Sequence, residues 1–127
     1  MAFDSGAGET LSRFLTDRDH YSPAKRIVRH TAFSPPRDKK LSVYWTTGLS
    51  DDDIWALGDT YVAPSRGPIL GQGILNSLTV YAAELTVQLT KIPHPRHAEI
   101  FGWDLDPKKA RLQQIKLADK ARLVLRE

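Results

Sequence analysis

The sequence predicts an α+β fold, a mainly antiparallel sheet of four to five strands with two principal helices packed on one face. Three observations lead there. Residues 26–33, 41–46, 74–92 and 97–103 place β-branched and aromatic side chains among polar ones at strand spacing. The breaks between them, Ser34-Pro35-Pro36 and Pro93-His94-Pro95 among them, are of turn length, too short for the crossovers of a parallel sheet. Two further stretches, 51–62 and 107–125, open on helix caps and carry an apolar side. A chain of 127 residues fits one domain, assigned to 9–127. It follows a flexible N-terminus, 1–8, where Gly6 and Gly8 raise backbone entropy and little can pack.

Taken in order, residues 9–14 read as a short helical turn with Leu11, Phe14 and Leu15 to one side. Residues 16–23 read as a loop ending in Pro23. Ile27, Val28, Thr31 and Phe33 make 26–33 a strand, stopped by prolines that lack the donor a ladder needs. In 41–46, Leu41, Val43 and Trp45 alternate with Ser42, Tyr44 and Thr46, so these two strands form an expected hairpin. Ser50 starts a helix by accepting from the amide of Asp53. Asp51, Asp52 and Asp53 then sit at the positive end of its dipole, each contributing about 0.3–1 kcal/mol at most. The acidic run is therefore a cap rather than a metal site, and Pro64 ends the helix.

Residues 65–73 are turn-rich. Gly71-Gln72-Gly73 lacks both the Lys-Ser/Thr of a P-loop and the further glycine of a dinucleotide fingerprint. Residues 74–92 read as β, either one bent strand or two, with Leu78, Val80 and Ala82 followed by Leu85, Val87 and Leu89. The stretch 85–90 is an edge candidate that would pair across a homodimer. In 97–103, Ala98 and Ile100 oppose Glu99 and Phe101. Asp106 caps the last helix with Pro107 at its first position. That helix is expected to run to about residue 125, with Ile115, Leu117, Ala118, Ala121, Val124 and Leu125 toward the sheet and Gln113 on the wet side.

Composition removes several function classes. Without cysteine there is no disulfide, thiolate nucleophile or thiolate metal site. Lys and Arg number 18 against 15 Asp and Glu, a net +3, which is modest. The cations gather in 25–40 and 106–127, a surface for phosphate, an acidic protein or nucleic acid. No apolar run reaches the roughly 20 residues of a membrane helix. The first ten residues lack the basic and apolar regions of a secretory signal, so the expected location is cytoplasmic and no membrane partner is expected.

Chemistry is densest in Ile92-Pro93-His94-Pro95-Arg96-His97-Ala98-Glu99. If a strand opens at His97, then His97 and Glu99 project from one face, where an imidazole and a carboxylate can share a proton. His97 and Glu99 are therefore the catalytic candidates, with His30 as a third member from the first strand. Arg96, His94, Arg29 and Tyr44 are the ligand-binding candidates. His94 and His97 have no zinc-site spacing, so no metal is assigned, and no cofactor motif is present. Two copies of a His-x-Ser/Thr motif would mark a 2H phosphoesterase, but His30-Thr31-Ala32 and His97-Ala98-Glu99 both lack the hydroxyl. An ADP-ribosyltransferase-like set could draft Arg29 or His30, Tyr44 or Thr46, and Glu99.

Ala32-Phe33-Ser34-Pro35, Leu41-Ser42-Val43-Tyr44, Gly48-Leu49-Ser50 with Ile54-Trp55-Ala56-Leu57-Gly58, and Arg96-His97-Ala98-Glu99-Ile100-Phe101-Gly102-Trp103 resemble a family of small uncharacterised bacterial proteins. The resemblance spans most of residues 26–125. It implies a bacterial, cytoplasmic, single-domain protein and brings no activity, cofactor or catalytic residue with it. The leading functional expectation is a protein-interaction or accessory module. The alternatives are a small His/Glu-dependent hydrolase or nucleotide-processing enzyme, and a nucleic-acid-binding domain that uses the basic surface.

Overall fold

A computed structural model describes residues 8–126. Six antiparallel strands form the main sheet in the order β6-β7-β4-β1-β5-β8. In chain order they are β1 (Thr10–Leu15), β4 (Leu41–Trp45), β5 (Gly71–Asn76), β6 (Thr86–Leu89), β7 (His97–Phe101) and β8 (Arg122–Leu125). A separate two-stranded ribbon joins β2 (Tyr21–Ser22) to β3 (Ile27–Val28). The α+β class with an antiparallel sheet is as the sequence predicts. The sheet has six strands rather than four or five.

The pleat sorts the sheet residues into two faces. Leu11, Leu15, Leu41, Val43, Leu75, Val87, Ala98 and Ile100 share one core with Phe33, Val80 and Leu117. Phe14 and Tyr44, at the alternate positions of β1 and β4, join a second core with Ile54, Leu57 and Ile69. Helix α1 (Asp51–Tyr61) supplies Ile54 and Leu57 to the second core, whereas α4 (Pro107–Lys120) supplies Leu117 to the first. The two principal helices therefore cover opposite faces, and the expectation of both on one face fails. Apolar residues on both sides of β1 require cover on both sides.

Several local expectations are corrected for physical reasons. The stretch 9–14 expected as a helical turn falls largely in β1, Thr10–Leu15. Leu11 and Leu15 have the i, i+4 spacing of a helix, but it is equally two steps of a strand period. Only Ile27–Val28 of 26–33 is extended, and His30–Phe33 is a 3-10 turn that drops Ala32 and Phe33 into the core. The expected hairpin between that segment and β4 is absent, because β4 pairs with β1 and β7. Residues 77–82 form helix α3 (Ser77–Ala82). Asn76 caps it by accepting from Leu78 N at 2.8 Å. Val80 and Ala83, buried at i, i+3, face the core where strand alternation was expected.

The helix caps are as expected. Ser50 Oγ accepts from Asp53 N at 3.2 Å, and Asp106 Oδ1 accepts from Lys108 N at 3.0 Å. Helix α1 also ends before Pro64, at Tyr61, as expected. Unforeseen is a short helix, α2 (Ala63–Arg66), that follows a bend at Val62 and holds Pro64 in its first turn. The last helix stops at Lys120, and Arg122–Leu125 becomes the edge strand β8 instead of its final turn. Gly71 admits that strand, since a Cβ there would lie 2.8 Å from the Val124 carbonyl oxygen. Gln113, expected on the wet side, is buried. It accepts from Asp104 N at 2.9 Å and donates to the Ala83 carbonyl at 3.0 Å. The N-terminal expectation for residues 1–7 falls outside the described residues. No helix of the described residues is long and apolar enough to cross a membrane.

Candidate anion-binding cleft

The site begins with a gap in the sheet. β1 pairs with β5 over six residues but with β4 only at Leu11↔Trp45 and Ser12↔Tyr44. Beyond that point the strands part, and Arg13 fills the opening. Its Nε donates to the Ala32 carbonyl and its Nη1 to the Ser42 carbonyl, both at 2.9 Å. The second bond satisfies a β4 acceptor that the missing ladder leaves free, and the first satisfies a carbonyl of the 3-10 turn. They do not neutralise the charge, and no carboxylate pairs with Arg13 among the described residues. Burial first, and then the nearby Arg66 guanidinium, push the Arg13 pKa down to about 10. The group still carries its proton at neutral pH.

A cleft of about 260 Å³ opens beside this arginine, with Tyr44 and His97 in its wall and Tyr61 and Arg66 from α1 and α2 across from them. A second hollow of about 190 Å³ shares Arg13, His20, Ser42 and Arg66 with it and adds Lys40. No Asp or Glu lines either space. The short helix α2 matters here because it carries Arg66, which is exposed and makes no ion pair among the described residues. Positive groups therefore converge without the carboxylates that normally neutralise them.

His97 is the chemically best-defined member. It opens β7 opposite Tyr44, and only 8% of it is exposed. Thr90 Oγ1 contacts His97 Nδ1 and also lies 3.2 Å from the carbonyls of Ile92 and His97. That contact engages Nδ1, whichever of the two atoms carries the shared proton, and leaves Nε2 as the second polar atom of the ring. Nε2 has no partner among the described residues. Burial lowers the pKa of His97 below its ordinary 6.5, and Glu99 opposes that only in part. His20 is also lowered, chiefly by burial; Asp17 and Asp19 pull it up, and Arg13 and Arg66 pull it down. Tyr44 is raised by burial and then by Tyr61, so its phenol stays protonated. Its ring meets the His97 ring edge-on at 5.2 Å between centroids.

The residues singled out from sequence separate into three places. His97 and Glu99 do project from the same face of β7, opposite Tyr44 and Ser42 respectively. Of that pair only His97 lines the cleft, together with Tyr44. Arg96 and His94 belong to a neighbouring recess under α1. The Arg96 guanidinium is committed to structure there. It donates to the Trp45 and Thr47 carbonyls at 3.1 and 3.0 Å and lies 4.7 Å from the centre of the Trp45 ring. His94 Nδ1 accepts from Arg96 N at 3.0 Å. Arg29 and His30 line a groove against α4 with Ile115 and Ala118. His30 thus shares no cavity with His97, because the strand expected to carry it beside β4 is a 3-10 turn packed on α4.

Sequence reasoning missed Arg13, His20, Ser42, Tyr61 and Arg66 as site residues. One signal was available for Arg13, a cation set among the apolar residues Leu11, Phe14 and Leu15. Among the described residues no three His, Asp or Glu side chains are grouped as a metal ion would need. No family model, curated protein or solved structure matches this chain.

Proposed function

We propose that the chain is a ligand-binding domain that holds a small phosphate-bearing molecule in the cleft beside Arg13. The observation carrying this is the convergence of Arg13, Arg66, His20 and His97 on a space with no carboxylate in its wall. A guanidinium fork suits phosphate oxygens because two N–H groups meet two oxygens in one plane. Arg66 is free to swing onto the ligand, while Arg13 is held by backbone carbonyls and offers a preset charge. Ser42 and Tyr44 add hydroxyls. His97 presents Nε2 to a protonated phosphate oxygen, or donates to a fully ionised one once it takes up a proton. That same placement gives it the reach of a general base or acid.

The four histidines provide the test. Titrating inorganic pyrophosphate while following imidazole resonances should shift His20 and His97 and leave His30 and His94 in place. Shifts confined to His30 or His94, or none at all, would contradict the reading.

A second reading, docking of a protein partner, draws on β6. It is an end strand of the sheet, and its outer backbone groups are a template for another strand. A Gln88→Lys variant, which sets a charge on this exposed edge position, should abolish a measured self-association or partner complex; association unchanged in that variant would remove the reading.

A further inference from the structure

The cleft is not uniform. Its larger part is walled by rings, namely Phe14, Tyr44, Tyr61, Pro93 and His97. Tyr61 is 37% exposed at its rim, and its ring meets His94 edge-on at 5.1 Å between centroids. That contact steadies the ring without covering both of its faces. The smaller hollow carries Lys40 and the hydroxyls of Thr31 and Ser34 and has no Phe, Tyr or Trp in its wall. Arg13 and Arg66 belong to both parts and so mark their junction. A ligand matched to this surface is flat and aromatic at one end and anionic at the other. Free phosphate would satisfy the cations and leave the ring-walled part to water. A flat base offers these rings a π-face to stack on, in the offset or edge-on arrangements that aromatic pairs prefer.

We propose that the ligand is a nucleotide, with its base against Tyr61 and its phosphates passing Arg13 and Arg66 toward Lys40. This rests on the phosphate reading above and adds the base. Stacking on an aromatic ring tolerates different bases, since each has a π-face. Purine and pyrimidine nucleotides are therefore expected to differ less from one another than either differs from pyrophosphate.

The test compares inorganic pyrophosphate, ADP and UDP by calorimetry on the whole chain, with Tyr61→Ala and Tyr61→Phe variants. ADP and UDP should bind roughly tenfold or more tightly than pyrophosphate. Tyr61→Ala should remove that margin, measured against pyrophosphate binding to the same variant, and Tyr61→Phe should keep it. If nucleotides and pyrophosphate bind alike, or Tyr61→Ala leaves the margin intact, the nucleotide inference fails and the phosphate reading stands. If none of the three binds, both fall.

Discussion

Arg13 Nη1 donates to the Ser42 carbonyl across the gap where β1 and β4 cease to pair, at 2.9 Å. One side chain thereby joins the stability of the sheet to the charge of the cleft. Arg13→Met should destabilise the protein by about 1–3 kcal/mol, because the Ser42 and Ala32 carbonyls lose their donor. Arg13→Lys should recover only part of this, since an ammonium lacks the fork that reaches both acceptors. Urea unfolding of the three proteins measures it. A lysine variant as stable as the parent would show that the fork geometry is not needed.

Gly71 makes a different kind of demand. A Cβ at that position meets the Val124 carbonyl oxygen at 2.8 Å, backbone that cannot move without lifting β8. Gly71→Ala should cost about 1–3 kcal/mol. It should also speed amide exchange in residues 122–125, which pair with β5. Unchanged protection in β8 would refute this.

Gln113 holds α4 to the loop before it and to the end of α3. Gln113→Leu keeps bulk but orphans Asp104 N–H and the Ala83 carbonyl. The expected loss is about 1–3 kcal/mol per group left buried without a partner. Thermal or urea melts decide it, with a neutral result counting against both bonds.

How much of this was legible in the sequence follows the range of the interactions involved. Ser50 and Asp106 could be read because a cap and its amide lie two or three residues apart. The same-face placement of His97 and Glu99 could be read from strand period alone. Residues 77–82 could not, because Asn76 and the buried Val80 outweigh a local β pattern. The cleft was hidden because it joins Arg13, Ser42, Arg66 and His97, which only the sheet register and the bend at Val62 bring together. Pro-His-Pro drew attention to Arg96 and His94, whose polar groups are used to hold the turn.

The histidines give stability a pH dependence of known sign. Burial lowers His97 and His20 below their ordinary 6.5. The unfolded chain therefore binds protons that the fold resists, so neither group costs anything above about pH 6.5. Stability falls as pH drops through that value toward the lowered folded pKa values. The melting temperature should decline between pH 7 and 5, and His97→Gln should flatten the slope. Sulfate, whose charge is constant over this range, should raise the melting temperature more at pH 5.5 than at pH 7.5. Equal effects at both pH values would separate the histidines from the anion site.

The most direct measurement is a calorimetric titration of inorganic pyrophosphate into the parent protein and Arg66→Gln, first at low salt and then at physiological salt. Arg66 is exposed and makes no ion pair among the described residues, so its loss should leave the unfolding midpoint in place. Binding should be saturable and one-to-one, weaken with salt, and be roughly tenfold weaker in the variant. Absence of saturable binding at low salt, or the same affinity in both proteins, would contradict the phosphate reading.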